Sequence, residues 1–541
     1  MNRASGTTAC VIAMWFGMCV FTGCQEAVPT GRGKLTPSAE LGQTIGSLAE
    51  VLAVESIPVE GYGLVGGLRG TGSSECPPEV RRYLVQYILT QLPNRSVDPD
   101  RLINSRSTAV VELSGMMPTA AVRNRHFDVG VAALLGTQTT SLEDGWLYKS
   151  DLRAEGGAGP GTRALATVEG PVFIDTVGGK RPDRKGGYIL AGGTVLNEYG
   201  ITLAPNKPDY MTAVRIRDRL NARFGPGTAN AISPAQIEVK VPAGYGEQKE
   251  KFVAIVKAMY LDVTGELVGE RVRTFAQRLA VSKEKQDSEI ALEAIGNESL
   301  GKLAVLLKSS DEEVRLRAAR CMLNLGSDEG LETLREIATA KRSRYRVEAL
   351  EAIGRGAPRN VAVGIARGLV QDGDFEVRLA AYEQLRRLSD VSVSRKVVGR
   401  SFYLEQVAIA PTADKVIYVS RSGQPRIVLF GSPRCRDNIF VQSSDGDITI
   451  NAAAGQEYVS IIRKHPTRAD VVLPMKSSFE LGDIIETLCE EPLKKGEEGR
   501  AGLGVSYAEM IGLLKRMCER GAVRAEFRAG PLPKIGPIVK K

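Results

Sequence analysis

The spacing of apolar residues divides the chain into a β-rich first part, a helical middle and a β-rich last part. In the first part, short apolar runs bounded by Gly, Pro or Asn predict strands. These runs lie at 108–113, 127–131, 172–174, 201–203 and 236–241. Apolar residues that recur every three or four positions predict amphipathic helices. These helices are expected at 79–92, 209–224 and 249–259. The mixture predicts an α+β fold of several small subdomains.

The middle of the chain carries an internal repeat. Strand signals vanish from about Lys283, and similar segments follow at steps of 31 residues, beginning at Leu303, Leu334 and Ile365. Two-helix units must stack on one another, because one unit cannot bury its apolar face alone. Ser310 and Glu313 match a capping box before one of the helices. The pattern Asp-x-x-Val-Arg-x-x-Ala, which starts at Asp311 and Asp374, is similar to HEAT repeats. We therefore expect an all-α block over 283–390, either a HEAT-like solenoid or a plain helical bundle.

Strand signals return after Asp390. The expected strands lie at 416–419, 426–430, 448–450, 458–462 and 523–527. A short helix is expected at 482–489. A second helix follows Ser506, which forms a capping box with Glu509, and it ends before Gly521.

Glycine is concentrated in one stretch, Glu60–Gly72, which holds six glycines in thirteen residues. Its first part matches the Gly-x-Gly-x-x-Gly fingerprint of dinucleotide-binding folds. That fingerprint requires a helix that opens at the loop, whereas here more glycine and Pro77 precede the helix. The pattern therefore favours a glycine-rich hairpin or packed loop, whose backbone takes positive φ angles or approaches a neighbour closely.

The same stretch carries a family resemblance. Gly61-Tyr-Gly-Leu-Val-Gly-Gly-Leu-Arg-Gly-Thr-Gly72 is similar to the opening motif of the bacterial flagellar P-ring proteins. The run Arg421-Ser-Gly-Gln-Pro-Arg-Ile-Val428 and the segment 510–526 resemble later motifs of the same family. The residues expected to form the structural glycine-rich motif are Gly61, Tyr62, Gly63, Gly66, Gly67, Gly70 and Gly72.

The resemblance implies a fold and a role. It covers residues 40–275 and 396–528, so a β-rich P-ring-like body would be interrupted by the helical block. P-ring proteins are structural: copies assemble in the periplasm around the flagellar rod, next to peptidoglycan. The implied partners are therefore further copies of this chain, the rod and L-ring proteins, and peptidoglycan. The block at 283–390 would bind an unknown protein.

The N-terminus predicts export. Residues 1–23 combine Arg3 with an apolar run that is too short to span a bilayer well. The run ends in small residues before Cys24, as in a lipoprotein signal, so Cys24 is the expected site of lipid attachment; ordinary signal cleavage is the alternative. Residues 24–40 read as a linker and 529–541 as a tail. Disulfides remain open among Cys76, Cys321, Cys435, Cys489 and Cys518.

The composition points away from catalysis. The net charge of +8 suits acidic partners, but the charges are scattered. His126 and His465 are far apart and are expected at the surface, so we predict neither a metal site nor a cofactor. Export argues against nucleic acid as a partner. Asp445 and Asp447 lie in a hairpin signal rather than in a pair of catalytic carboxylates.

Two functions follow from the sequence. The first is a structural, ring-forming or scaffold protein of the cell envelope, located in the periplasm and tethered by lipid. The alternative is a lipid-anchored periplasmic adaptor that binds another protein through its helical block, without a flagellar role. We expect no enzymatic activity in either case.

Overall fold

A computed structural model describes residues 41–535 except 53–55, 92–97, 119–122, 157–162, 179–181, 198–199, 247, 400, 466–467 and 493–501. The predicted signal, the linker and Cys24 lie outside the described residues. The described chain contains helices and several β-sheets, so the predicted α+β class is confirmed.

Residues 57–195 form a closed six-stranded barrel with strand order β2-β3-β4-β7-β6-β5. Two helices, α2 and α3, cover the outside of β2. The elements up to the end of the barrel are α1 (Ile45–Leu48), β1 (Ala49–Leu52), β2 (Ile57–Gly66), α2 (Pro78–Gln91), α3 (Pro99–Ile103), β3 (Ala109–Met117), β4 (His126–Ala133), β5 (Trp146–Ala154), β6 (Ala166–Pro171) and β7 (Gly186–Val195). Inward-facing aliphatic residues of all six strands fill the barrel.

A small α/β layer follows the barrel and also takes up α1 and β1. It consists of β8 (Ile201–Pro205), α4 (Tyr210–Phe224), β9 (Ala229–Ser233), β10 (Gln236–Val239) and α5 (Lys249–Ala258). The sheet order is β1-β8-β10-β9, and the helices bury one face of it. Asp209 caps α4 by accepting a hydrogen bond from the backbone N–H of Thr212.

Residues 265–387, all of which are described, form eight α-helices. They are α6 (Gly265–Val281), α7 (Lys285–Ile295), α8 (Leu300–Leu306), α9 (Glu312–Asn324), α10 (Leu331–Thr339), α11 (Arg346–Gly356), α12 (Arg359–Leu369) and α13 (Phe375–Arg387). The helical segment thus begins at Gly265, upstream of Lys283, where the sequence pattern predicts its start. Asp311 and Asp374 are the N-caps of α9 and α13, while Tyr345, the N-cap of α11 in the middle unit, makes no side-chain cap.

The last part holds two sheets. One has the order β11-β12-β14-β13-β19 and the other β15-β16-β17-β18. The elements are β11 (Val393–Val398), β12 (Phe402–Val407), β13 (Val416–Val419), β14 (Arg426–Phe430), β15 (Ile439–Gln442), β16 (Ile448–Ala452), β17 (Val459–His465), β18 (Arg468–Ser477), α14 (Leu481–Cys489), α15 (Tyr507–Glu519) and β19 (Glu526–Ala529). Both helices pack into the core that the two sheets share. We call this part, residues 393–535, the C-terminal module.

The helical block is fused to its neighbours at both ends. At its start, the buried Glu293 of α7 pairs with Lys251 of α5 at 2.8 Å. At its end, α12 and α13 share an apolar core with β12, β13 and β14. The buried Glu405 of β12 accepts hydrogen bonds from Tyr382 and Arg386 of α13. The block therefore continues the body of the protein instead of projecting from it.

Four local predictions are wrong. The run 172–174 is not a strand, because only Phe173 forms a β-bridge, with Tyr188, and the pairing does not extend to its neighbours. Val172 and Ile174 face the barrel core, while Phe173 enters the core of the C-terminal module. The cap of α9 is Asp311, one residue after the predicted Ser310. The last strand begins at Glu526 rather than at residue 523. The first part of the glycine-rich stretch is a strand and not a hairpin or loop.

Candidate functional site

The first part of the glycine-rich stretch, up to Gly66, lies in β2, one of the six strands of the closed barrel. β2 pairs with β3 along its length, and it pairs with β5 only at its two ends. The gap in the β2–β5 ladder falls between Glu60 and Val65, where the strand passes the glycines Gly61 and Gly63. Irregular pairing and glycine together allow a strand to bend sharply, as barrel closure requires.

A Cβ atom on any of three glycines of this strand would come within 3 Å of an atom of β5. A Cβ atom on Gly61 would lie 2.4 Å from the carbonyl oxygen of Asp151. One on Gly63 would lie 2.8 Å from Leu147, and one on Gly66 would lie 2.6 Å from the hydroxyl of Tyr148. The glycines therefore let β5 approach β2 closely.

The rest of the motif shapes the turn that follows. Gly67 and Gly70 have φ angles of 79° and 81°, which favour glycine. A Cβ atom on Gly72 would lie 2.0 Å from the carbonyl oxygen of Thr108. Tyr62 points out of the barrel and packs beneath α2 with Leu64. The motif thus fixes backbone shape, and no helix opens at its loop, as a dinucleotide site would require.

A second cluster joins the barrel to the C-terminal module. Opposite Asp128 of β4, the ladder to β7 is irregular, and Ala191 there has a φ angle of 51°. This bulge lets the Asp128 carboxylate accept a hydrogen bond from the backbone N–H of Ala191 at 2.7 Å. The same carboxylate accepts from the backbone N–H of Gly423 at 2.8 Å. Burial raises the pKa of Asp128, and the two N–H donors counteract part of that rise.

Further contacts surround this hydrogen bond. Arg421 donates to Asp175 at 3.0 Å and to the carbonyl oxygen of Gly530 at 2.7 Å. Lys515 of α15 donates to the carbonyl oxygen of Val177 at 3.1 Å. We call Asp128, Asp175, Arg421 and Gly423 the junction cluster.

Glycine also permits the close packing at this junction. A Cβ atom on Gly178 would lie 2.5 Å from the Asp175 carboxylate, and one on Gly512 of α15 would lie 3.0 Å from the hydroxyl of Thr176. Phe173 and Tyr507 place their ring centroids 5.9 Å apart across the same boundary. The barrel and the C-terminal module are therefore held together by apolar contact as well as by charge.

The comparisons with known proteins bear on this region. A family model described as flagellar P-ring protein matches residues 44–268, which contain the barrel and the α/β layer. Residues 44–268 are similar to the flagellar P-ring proteins. The resemblance first seen in the glycine-rich stretch is thereby confirmed.

Individual relatives agree with the family match. The flagellar P-ring protein of Anaeromyxobacter dehalogenans strain 2CP-C is 32% identical over 232 residues, which are 40% of this chain and 59% of that protein. The flagellar P-ring protein of Aquifex aeolicus strain VF5 is 29% identical over 203 residues, 34% of this chain and 52% of that protein. The flagellar P-ring protein of Wolinella succinogenes is 28% identical over 259 residues, which are 44% of this chain and 69% of that protein.

The match has a defined extent. The chain spans 59% of the length of the first of these P-ring relatives. The family model ends at residue 268, so the P-ring resemblance of 396–528 and the HEAT resemblance of the helical block stay predictions.

Sequence reasoning found one side of the junction and missed the other. The sequence marks the run at Arg421 as P-ring-like, but it carries no motif at Asp128 or Asp175. No sequence signal links Asp128 to Gly423, because 295 residues separate them. The presence of Asp within an otherwise apolar strand, Phe127-Asp-Val-Gly-Val131, was the available hint that its carboxylate has a buried partner.

Other predicted residues lie away from the junction. His126 is exposed and contacts the hydroxyl of Thr194 at 3.2 Å. Asp445 lies in a hairpin turn, where it accepts from the backbone N–H of Asp447 at 3.0 Å. The five cysteines Cys76, Cys321, Cys435, Cys489 and Cys518 are free thiols.

The described residues show neither a cluster of metal ligands nor a membrane-spanning helix. Among them, no three His, Cys, Asp or Glu side chains come together as metal ligands would. Within the same residues, no helix has both the length and the apolar character that crossing a bilayer demands.

Proposed function

We propose that this chain is a structural subunit of a ring around the flagellar rod, in the periplasm of the bacterial envelope. The observation that carries the proposal is the similarity of residues 44–268 to proteins that are named flagellar P-ring proteins. The geometry supports a structural role, because the glycine-rich motif and the junction cluster fix shape and do not present reactive groups. On this proposal the chain is not an enzyme.

Ring assembly would rest on the fit between copies. A ring is built from identical head-to-tail contacts, which require each subunit to keep its shape. The junction cluster supports this, because it ties the barrel to the C-terminal module across more than half of the chain. The glycine motif, Gly61, Tyr62, Gly63, Gly66, Gly67, Gly70 and Gly72, would set the curvature of the barrel from which the contact surfaces are presented.

Two additions would distinguish this subunit from its relatives. Lipid attachment at Cys24 would hold each subunit at a membrane next to peptidoglycan and the L-ring. The helical block, HEAT-like over 283–390, would provide an additional protein-binding surface on the ring. Its fusion to the layers on both sides supports a contact surface of fixed orientation.

The experiment is a localisation in the host bacterium. A tagged full chain should co-purify with hook–basal bodies, and deletion of its gene should yield basal bodies that lack this ring. Restoring the full chain should restore the ring. A chain that lacks residues 1–40, and with them the predicted export signal and Cys24, should not restore it. Fractionation of the tagged chain entirely apart from basal bodies would refute the flagellar role and favour the adaptor.

A further inference from the structure

A basic cavity lies in the C-terminal module, far along the chain from the P-ring-like region. Its volume is about 900 Å³, and it opens to solvent. Five cationic side chains line it: Lys415, Arg434, Arg436, Arg520 and Arg524. Asp437 is the one carboxylate among its lining residues, so the lining has an excess of four positive charges.

The wall of the cavity is a fixed piece of backbone. The N–H of Cys435 donates to the carbonyl oxygen of Phe479, and the N–H of Arg436 donates to that of Ala522, both at 2.8 Å. These two bonds hold the segment in place from both sides. Side chains of an extended segment alternate in direction, so the side chain of Cys435 is buried while those of its neighbours Arg434 and Arg436 are exposed. Burial raises the pKa of the Cys435 thiol to about 11, so this thiol adds no charge at neutral pH.

Within the described part of the chain, four of the five cations have no carboxylate partner. Arg434 pairs with Glu480 at 3.1 Å, and Lys415 donates to the carbonyl oxygen of Ser432 at 2.9 Å. Among the residues that the structure describes, none pairs with the guanidinium groups of Arg436, Arg520 and Arg524, which are exposed. Like charges gathered around one cavity repel each other, and a bound anion would relieve that repulsion.

The helix dipole accounts for the position of only one of the four arginines. Arg520 lies at the C-terminal end of α15, where a cation interacts favourably with the helix dipole. Arg434 and Arg436 come from the connection between β14 and β15, and Arg524 precedes β19, so the dipole does not account for them. Four of the five cations are arginines, whose planar guanidinium groups bind carboxylate and phosphate groups through paired hydrogen bonds.

We propose that this cavity binds an anionic ligand that carries two or more carboxylate or phosphate groups. Its volume of about 900 Å³ exceeds what a single oxyanion fills, and cations reach it from three separate segments of the chain, at Lys415, at Arg434 and Arg436, and at Arg520 and Arg524. Arg436 and Arg520 contact the ligand directly, and Lys415 contributes long-range attraction. This site is independent of the role proposed for residues 44–268.

The test is a binding titration on the full chain, with inorganic tripolyphosphate in one arm and hexaglutamate in the other. Calorimetry should show saturable 1:1 binding of at least one probe. The double variant Arg436→Glu/Arg520→Glu should weaken that binding about tenfold or more, because charged hydrogen bonds are lost. Preference for tripolyphosphate would assign a phosphate ligand, and preference for hexaglutamate a carboxylate ligand.

The matched control is Arg82→Glu/Arg342→Glu, which changes the same charge at two exposed arginines outside the cavity. It should change affinity less than twofold at equal salt. An equal loss in the control, or binding without saturation, would show diffuse attraction to a basic protein and overturn the proposal. Unchanged thermal unfolding of both double variants establishes that the comparison is between folded proteins.

Discussion

The carboxylate of Asp128 accepts a hydrogen bond from the backbone N–H of Gly423, which lies 295 residues further along the chain. The bond crosses directly from the barrel to the C-terminal module. Along the chain, the α/β layer and the helical block lie between these two parts. The described chain therefore closes on itself, and its first and last β-rich parts form one body.

Replacing Asp128 by Ala should loosen the junction. The change leaves the partly buried N–H groups of Ala191 and Gly423 without their acceptor, which costs about 2 kcal/mol. Hydrogen exchange of the turn at 421–424 should therefore accelerate about tenfold or more. Asp218→Ala, at an exposed position in α4, is the control and should leave that exchange unchanged. Unaltered protection in the Asp128 variant would show that the bond does not hold the junction.

The junction should also respond to pH. Burial raises the pKa of Asp128 above that of an unfolded chain, so the folded protein holds this proton more strongly. The stabilisation is complete below the unfolded pKa, near pH 4, and is lost as pH rises through the folded pKa. The unfolding temperature of the wild type relative to Asp128→Asn should therefore fall from pH 4 to pH 7. A difference that is constant over this range would contradict the assignment.

The steric requirement for glycine in β2 can be tested by comparing Gly61 with Gly364, where an added Cβ atom would contact nothing. Gly61→Ala places a methyl group against the carbonyl oxygen of Asp151 and should destabilise the barrel by about 1–3 kcal/mol. Gly364→Ala, in α12, meets nothing within 4 Å and should stabilise its helix by about 0.5–1 kcal/mol. Thermal unfolding of the two variants measures both effects. Equal effects would show that Gly61 is not sterically required.

The fusion of the helical block to the C-terminal module depends on Glu405. Glu405→Ala removes the acceptor of Tyr382 and Arg386 and should destabilise the protein by about 3 kcal/mol. Arg395→Ala removes a partner that is 41% exposed and should cost less than about 1 kcal/mol. Denaturant unfolding monitored by helical circular dichroism distinguishes the two. A loss of similar size in both variants would show that Glu405 is not the anchor.

Local patterns predicted the regular elements well. The helix α4 follows the predicted range closely, with Asp209 as its cap, and α15 begins with the predicted capping box of Ser506 and Glu509. Both depend on residues that are neighbours in sequence, namely one apolar face and the side chains next to it.

Relationships between distant segments could not be predicted. The close approach of β5 to β2 explains the glycines, but nothing in Gly61 or Gly63 identifies β5 as the neighbour. The apolar run at 172–174 has the composition of a strand, but sequence cannot show that its pairing is limited to the bridge between Phe173 and Tyr188. The basic cavity likewise gathers Arg436 and Arg520 from separate segments.

The most direct test of the structural role is cryo-electron microscopy of particles purified through a tag on the full chain. We predict closed rings of identical subunits around an axial rod, each with its barrel and C-terminal module in contact. Single chains, or a complex in which the helical block holds another protein without a second copy of this chain, would contradict the account.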